Sequence, residues 1–304
     1  MCVPCVTPCG GNLVAGLQFR TDSSDNAWVT TTGTPLARSL RAVLDGGSGH
    51  GSLEVHYQPV VAVADGAPLG AEALVRWCHP RFGLVPPDSF VGVAESVGLG
   101  ACLDTHVLLT ALRQLAAWDA TGLRVHRVGV NLGRSSLHAP GLVGTVEQAC
   151  ALSGTAADRL MLEVVEHDEL DLTAPRLAAV QALADADVTL ALDDFGAGHA
   201  GVGLLGRLPF GVLKLDRSLL PGRHRTVATT APDARALLCG VVGLAAAVGA
   251  EVTAEGIETP AQRELVAEIG VPHAQGWLYA PAMPADAFEA WWRARVDAVA
   301  APTA

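Results

Sequence analysis

Seven side chains fit for acid–base or metal chemistry stand in or at the ends of short apolar runs. Glu72 lies in Ala71–Trp77. Asn131 closes Val128-Gly129-Val130-Asn131, and Glu163 closes Leu160-Met161-Leu162-Glu163. Asp193 and Asp194 close Leu190-Ala191-Leu192-Asp193-Asp194. Lys214 lies in Val212-Leu213-Lys214-Leu215-Asp216, and Glu255 closes Val252-Thr253-Ala254-Glu255. Five carboxylates gathered on one rim would repel one another by about 4 kcal/mol per pair, for ~4 Å separation and an effective dielectric of about 20. Protons or cations must relieve that. Oxygen-rich ligand sets select hard ions, Mg2+, Mn2+ or Ca2+, over zinc. The adjacent pair Asp193-Asp194 suits two ions side by side, an arrangement that favours in-line displacement at phosphorus.

Composition sharpens the pattern. The chain has 304 residues, a formal net charge of −11 and 20 basic residues, of which Lys214 alone is lysine. Asn131 is the one asparagine after residue 26. A planar, permanently charged guanidinium cannot replace a compact ammonium, so a chain that otherwise uses arginine has a chemical reason to keep Lys214. The acidic balance argues against a nucleic-acid polymer as partner, which would need a basic face. An anionic substrate would need a metal to neutralise it. The ten histidines are dispersed and form no His-Glu-x-x-His pattern. No Gly-x-Ser-x-Gly elbow supports a serine nucleophile.

Positioning these residues requires strands that end together. Strands are predicted at Glu54–Val63, Ala71–Trp77, Arg127–Leu132, Leu160–Val164, Thr189–Asp193, Val212–Leu215, Glu251–Ala254 and Ala274–Leu278. Helices are predicted at Leu36–Leu44, Thr105–Trp118, Pro140–Leu152, Pro175–Ala186, Asp233–Val248, Pro260–Ile269 and Pro284–Val296. Alternating elements over about 250 residues match an α/β (β/α)8 barrel, with a doubly wound open sheet as the alternative on pattern alone. In a barrel the polar strand ends converge on one rim. The run Gly196-Ala197-Gly198-His199-Ala200-Gly201 also fits a dinucleotide fingerprint, with Asp216 placed 20 residues after Gly196. That reading would set a pyrophosphate beside Asp193 and Asp194 without countercharge; a glycine loop over a metal site explains the same residues.

Residues 1–37 read as a poorly ordered arm, 38–297 as the barrel and 298–304 as a tail. Cys2, Cys5 and Cys9 cluster in the arm without a fourth ligand nearby. No secretory signal is visible, and the longest apolar run, Ala236–Ala250, falls short of the ~20 residues a spanning helix needs. A cytoplasmic location with no membrane span is expected.

These residues also make the chain resemble the EAL-domain cyclic-di-GMP phosphodiesterases. The family's name motif stands as Glu72-Ala73-Leu74, continuing Val75-Arg76-Trp77, with Tyr57-Gln58-Pro59 upstream. His79-Pro80, Ala94-Glu95, Val130-Asn131-Leu132, Leu162-Glu163-Val164-Val165-Glu166 and Asp193-Asp194-Phe195-Gly196-Ala197-Gly198 follow. Lys214-Leu215-Asp216, Ala254-Glu255-Gly256-Ile257-Glu258 and Gln275-Gly276-Trp277 complete the ordered set. The resemblance implies a modified TIM barrel with one strand, the first, antiparallel to the rest. It implies hydrolysis of cyclic di-GMP to linear pGpG with two Mg2+ or Mn2+ ions, and a homodimer. Glu72, Asn131, Glu163 and Asp193 would hold one ion, and Asp193 would bridge to a second with Asp194. Glu255 would act at the metal-bound water, and Lys214 would orient the attacking water or help deprotonate it. Arg76 would contact a phosphate and Gln58 a guanine edge, with Asp216 and Gln275 on the substrate side. Glu166 would brace the loop of Gly196 and Gly198, and Glu258 would support the shell around the site with Gln275. The loop departs from the family at Ala197, His199 and Ala200, where hydroxyls are lost, and Gly211 replaces an acid. A catalytically weak or inactive cyclic-di-GMP receptor is the alternative reading.

Overall fold

The computed structural model describes residues 35–165, 173–197, 201–222 and 231–300. Glu166, Gly198, His199, Ala200 and the three N-terminal cysteines lie outside the described residues. In chain order the elements are α1 (Pro35–Leu44), β1 (Ser52–Ala62), β2 (Pro68–His79), β3 (Gly83–Val85), α2 (Val91–Ser96), α3 (Gly100–Ala120) and β4 (Arg127–Asn131). Then come α4 (Arg134–Leu137), α5 (Leu142–Ser153), β5 (Leu160–Val165), α6 (Ala174–Asp185), β6 (Thr189–Phe195), α7 (Gly201–Leu205) and β7 (Val212–Leu215). The chain continues through α8 (Ala231–Val248), β8 (Glu251–Ala254), α9 (Pro260–Glu268), β9 (His273–Ala274) and α10 (Ala285–Ala300). Residues 35–37 and 298–300, read from sequence as arm and tail, are therefore helical.

Six parallel pairings run β2-β4-β5-β6-β7-β8-β9, and β1 closes the ring by pairing antiparallel with both β9 and β2. Closure decides against the open doubly wound sheet. The antiparallel strand is β1, as the resemblance implied. Strand β3 is a short hairpin extension of β2, outside the ring. No described helix is long and apolar enough to cross a membrane.

Two sequence expectations need correction. The run Ala274–Leu278 is not a continuous strand; it leaves the sheet after Ala274. Gly276 sits at φ 153°, and a Cβ there would come within 2.3 Å of the Ile257 backbone. The chain turns here because that position tolerates only glycine. The short elements β3, α2, α4 and α7 were not anticipated, being too brief to carry a period.

Side-chain alternation sorts the barrel into an outside and an inside. Leu160, Leu162 and Val164 of β5, Leu190 and Leu192 of β6, and Leu213 and Leu215 of β7 face the helices in one continuous core. The intervening positions face inward. There Met161, Ala191 and Val212 form a separate small cluster, and the next inward position on each of their strands is Glu163, Asp193 or Lys214. The apolar positions thus anchor the strands outside while the inside is left for chemistry.

The closing seam is aromatic. Tyr57 of β1 meets Trp118 of α3 edge-on at 4.8 Å between ring centres, and Trp118 stacks on Phe288 of α10 at 4.8 Å. All three rings are essentially buried. Phe288→Ala is expected to lower unfolding free energy by about 3–5 kcal/mol, the usual cost of emptying a buried phenylalanine site. Equilibrium urea denaturation checks this; a loss below ~1 kcal/mol would show that the seam does not hold the barrel shut.

Candidate active site

Lys214 stands at the centre of the C-terminal mouth. Its ammonium is 1% exposed and faces four carboxylates: Glu163 at 2.5 Å, Glu255 at 2.8 Å, Asp193 at 2.9 Å and Glu72 at 3.6 Å. These come from β5, the end of β8, β6 and β2. Burial would push the lysine pKa down, but Asp193, Glu163, Glu255 and Glu72 hold it well above its ordinary value. The group is an ammonium, a donor with no acceptor capacity. Burial raises Glu163 and Glu255 well above the carboxylate range, and Lys214 only partly offsets this. Glu72 lies on the other side. Burial raises it, yet Lys214 and two amide donors bring it below its ordinary value.

Those amides fix the Glu72 carboxylate. Asn131 Nδ2 donates to Oε1 at 2.9 Å and Gln275 Nε2 donates to Oε2 at 2.7 Å. One strand away, Gln58 sits opposite Glu72 in the β1–β2 ladder and donates to the Ala280 carbonyl. The Ala280 segment and Gln275 belong to the turn that Gly276 makes possible.

A regular strand would send Asp193 and Asp194 to opposite faces. Here the β6–β7 register shifts between Leu192 and Phe195, and Asp194 takes a left-handed φ of 55°. Aspartate tolerates that conformation better than most residues. The bulge re-aims the side chain, and the Asp194 amide donates to Asp193 Oδ1 at 3.0 Å. The consequence is two carboxylate trios that share Asp193. Glu72, Glu163 and Asp193 form one, and Asp193, Asp194 and Glu255 the other; within each, one oxygen per residue lies within 4.8 Å of the others. Glu163 Oε1 is buried without a hydrogen-bond partner. An orphaned carboxylate oxygen in an all-oxygen cluster fits a hard divalent cation.

The sequence model of the family described as "EAL domain" matches residues 40–282. The chain belongs to the EAL domain family. Among curated relatives, this EAL domain is 38% identical over 253 residues to "Cyclic di-GMP phosphodiesterase NbdA" of Pseudomonas aeruginosa, covering 81% of this chain and 31% of that protein. It is 31% identical over 266 residues to "Cyclic di-GMP phosphodiesterase PdeR" of Escherichia coli, covering 85% and 37%. The chain thus spans about a third of the length of these relatives. Among solved structures, "PaMucR Phosphodiesterase, c-di-GMP complex" superposes with a TM-score of 0.75 at 32% identity, covering 84% of this chain and all of that one.

The remaining residues singled out from sequence fall at varied distances from the Lys214 cluster. Arg76 is half-buried, donates to the Val75 carbonyl and lies in the field of Glu72 and Asp88. The Asp216 carboxylate accepts from the Ser218 amide at 2.8 Å, capping a short helical turn after β7. The Glu258 side chain is exposed, and its backbone amide donates to Gln262. Gly196 has φ 99°, and a Cβ there would press on Leu219.

Two features of this EAL domain were missed. Gly129 is the notch that admits Glu163: a Cβ at Gly129 would lie 1.9 Å from Glu163 Oε1. A glycine inside the strand run Val128–Asn131 was the available signal for a close approach. The second is a polar clamp on the turn after Asn131. Asp104 of α3 accepts from the Gly133 amide at 2.7 Å and from the Ser136 hydroxyl at 2.6 Å, while Glu95 of α2 accepts from Ser135 Oγ at 2.5 Å. Burial raises Asp104 to about 6, opposed by the Ser136 and Gly133 hydrogen bonds and assisted by Glu95.

A folded pKa of about 6, above the ordinary 3.8, means the native state holds this proton more tightly than the unfolded chain. The contribution of Asp104 to stability is therefore largest at acid pH and is lost as pH rises from 3.8 through about 6. Asp104→Asn keeps the acceptor and removes the titration. The stability of the wild type minus that of the variant should fall across this window and level off above it. Chemical denaturation at a series of pH values measures it; a difference independent of pH would refute the assignment.

Proposed function

We propose that this chain hydrolyses cyclic di-GMP to linear pGpG, using two Mg2+ or Mn2+ ions. The observation that carries the reading is the pair of carboxylate trios sharing Asp193 around the Lys214 ammonium. Five carboxylates and one ammonium leave four formal negative charges, which two divalent cations would neutralise. Glu72, Asn131, Glu163 and Asp193 would hold one ion, and Asp193, Asp194 and Glu255 the other. When bound, such ions offset the carboxylate charge and polarise the phosphodiester.

The chain's own residues would supply the rest. Water attacks phosphorus, the bond to the 3′ oxygen breaks, that oxygen takes up a proton from solvent and leaves as a hydroxyl, and the 5′-phosphate stays on the linear product. Lys214, held as an ammonium, orients the attacking oxygen by donating to it and stabilises charge growing on the phosphoryl group. Glu255 is the most exposed of its four carboxylate partners, at 17%, and is placed to take the proton that the water releases. Asn131 and Gln275 keep Glu72 from rotating. Arg76 reaches a phosphate oxygen and Gln58 a guanine edge at the mouth. The supporting resemblance is to relatives and a solved complex whose names specify this dinucleotide. A homodimer belongs to the same reading; sedimentation at micromolar concentration tests it.

Chromatography of reaction products with Mn2+ tests the activity. The wild type should convert cyclic di-GMP to pGpG, and Glu72→Ala should abolish conversion. Lys214→Arg should cost at least about tenfold in rate, because a planar guanidinium cannot point one compact charge at four carboxylates. Near-wild-type turnover in either variant would remove the assigned role, and dinucleotide retained unchanged over hours would establish a receptor. Gly129→Ala should also lower turnover by about tenfold or more, by displacing Glu163 while leaving the circular dichroism spectrum native.

A further inference from the structure

The barrel has a second mouth. At the opposite end from the carboxylates lies a cavity of about 290 Å3. Its lining comes from the N-terminal starts of the parallel strands, Arg127 of β4, Val212 of β7, Glu251 of β8 and His273 of β9, and from Val60 near the end of antiparallel β1. Gly70 leaves the wall open there, and a Cβ at that position would strike the Arg127 carbonyl oxygen at 2.8 Å. Met161, Ala191 and Val212 pack together across the interior, one inward position below Glu163, Asp193 and Lys214. The two mouths are therefore separated by a thin apolar layer, and whatever enters one does not share the other's site.

The cavity combines an apolar wall with a few polar groups, the usual make-up of a small-molecule site. Its decisive member is Arg127. The Arg127 Nε is buried and has no hydrogen-bond partner, and among the described residues no carboxylate lies within ion-pair distance of its guanidinium. The side chain as a whole is partly exposed, but leaving one of its donors buried and unpartnered is costly, so the Nε signals an acceptor that fills the space beside it. Glu251 does not serve. Its side chain is 62% exposed, and among the described residues the basic group within ion-pair distance is His273, at 3.9 Å. Burial lowers the His273 pKa, Glu251 raises it and Arg127 lowers it again, leaving the ring a hydrogen-bonding group rather than a second fixed charge. Thr253, itself buried, adds a hydroxyl to the wall, and His126 a second imidazole.

We propose that this lower cavity binds a small oxyanion, a carboxylate or a phosphate, through the Arg127 guanidinium, with His126, His273 and Thr253 as further hydrogen-bonding groups. The planar fork of arginine matches two oxygens of either anion. The site is independent of the catalytic reading, because it draws on none of the carboxylates at the other mouth.

Calorimetric titration of the full chain tests it, in EDTA so that no divalent ion can hold an anion at the catalytic acids. The probes are inorganic phosphate and succinate. At least one should bind saturably in the millimolar range, and which one does so identifies the class. Arg127→Met, which keeps the stem and removes the fork, should weaken binding at least about tenfold. His273→Phe, which fills the cavity, should abolish it by a different route, with circular dichroism confirming that each variant is folded. Saturable binding of neither anion to the wild type, or binding unchanged in both folded variants, would overturn the proposal.

Discussion

One buried ammonium among four carboxylates sets the terms for the rest of the molecule. Opposite charges at 2.5–3.6 Å and almost out of water attract strongly, but taking them out of water is itself expensive. The cluster persists only because a closed barrel presses five strands into fixed register and leaves the side chains nowhere else to go. Lysine suits this centre because its charge is a point that every acid can approach. The acids still outnumber it, and burial raises the Glu163 and Glu255 pKa values well above the usual range. Such a site favours any partner that brings more positive charge in small volume.

The same constraint explains the inside of the barrel. An interior filled with branched apolar side chains would leave no room for a long glutamate to reach the centre. Here the strand bearing Asn131 contributes Gly129, and Glu163 occupies the space that a side chain would have taken. Below, Met161, Ala191 and Val212 make only a thin floor. The hydrophobic stabilisation has moved outward, to Leu160, Leu162, Leu190, Leu192, Leu213 and Leu215 against the helices. Stability and chemistry thus occupy alternate residues of the same strands.

That division made much of the architecture legible in the amino-acid order. Apolar runs ended by Asn131, Glu163, Asp193 and Glu255 announce strands whose tips share a task, and the helices between them announce parallel crossovers. What escaped detection depends on single atoms or on distant chain. The sequence places Asp193 and Asp194 on one rim but hides the means, because alternation alone separates them; a bulge and one left-handed residue bring them together. Asp104 carries no motif of its own. Its partners are an amide and a hydroxyl 29 and 32 residues away, and only folding reveals the contact. The false strand beyond Ala274 had the right composition, but the Ile257 backbone crowds Gly276 and forces the turn.

The segment after that turn also seats the reversed first strand. An antiparallel β1 joins β2 through a short hairpin, needs no crossover helix, and sets Gln58 directly opposite Glu72. The cost is an outer face that no crossover helix covers. Helix α10 fills the gap, with Phe288 closing over Tyr57 and Trp118. Tyr57 exchanges both backbone hydrogen bonds with Met283, just before α10, while its neighbour Gln58 donates to the Ala280 carbonyl. The C-terminal helix therefore holds the reversed strand and the Gln275–Ala280 turn in one unit. Loosening that seam would disturb the second amide on Glu72 as well as the fold, because the segment that seats α10 also carries Gln275.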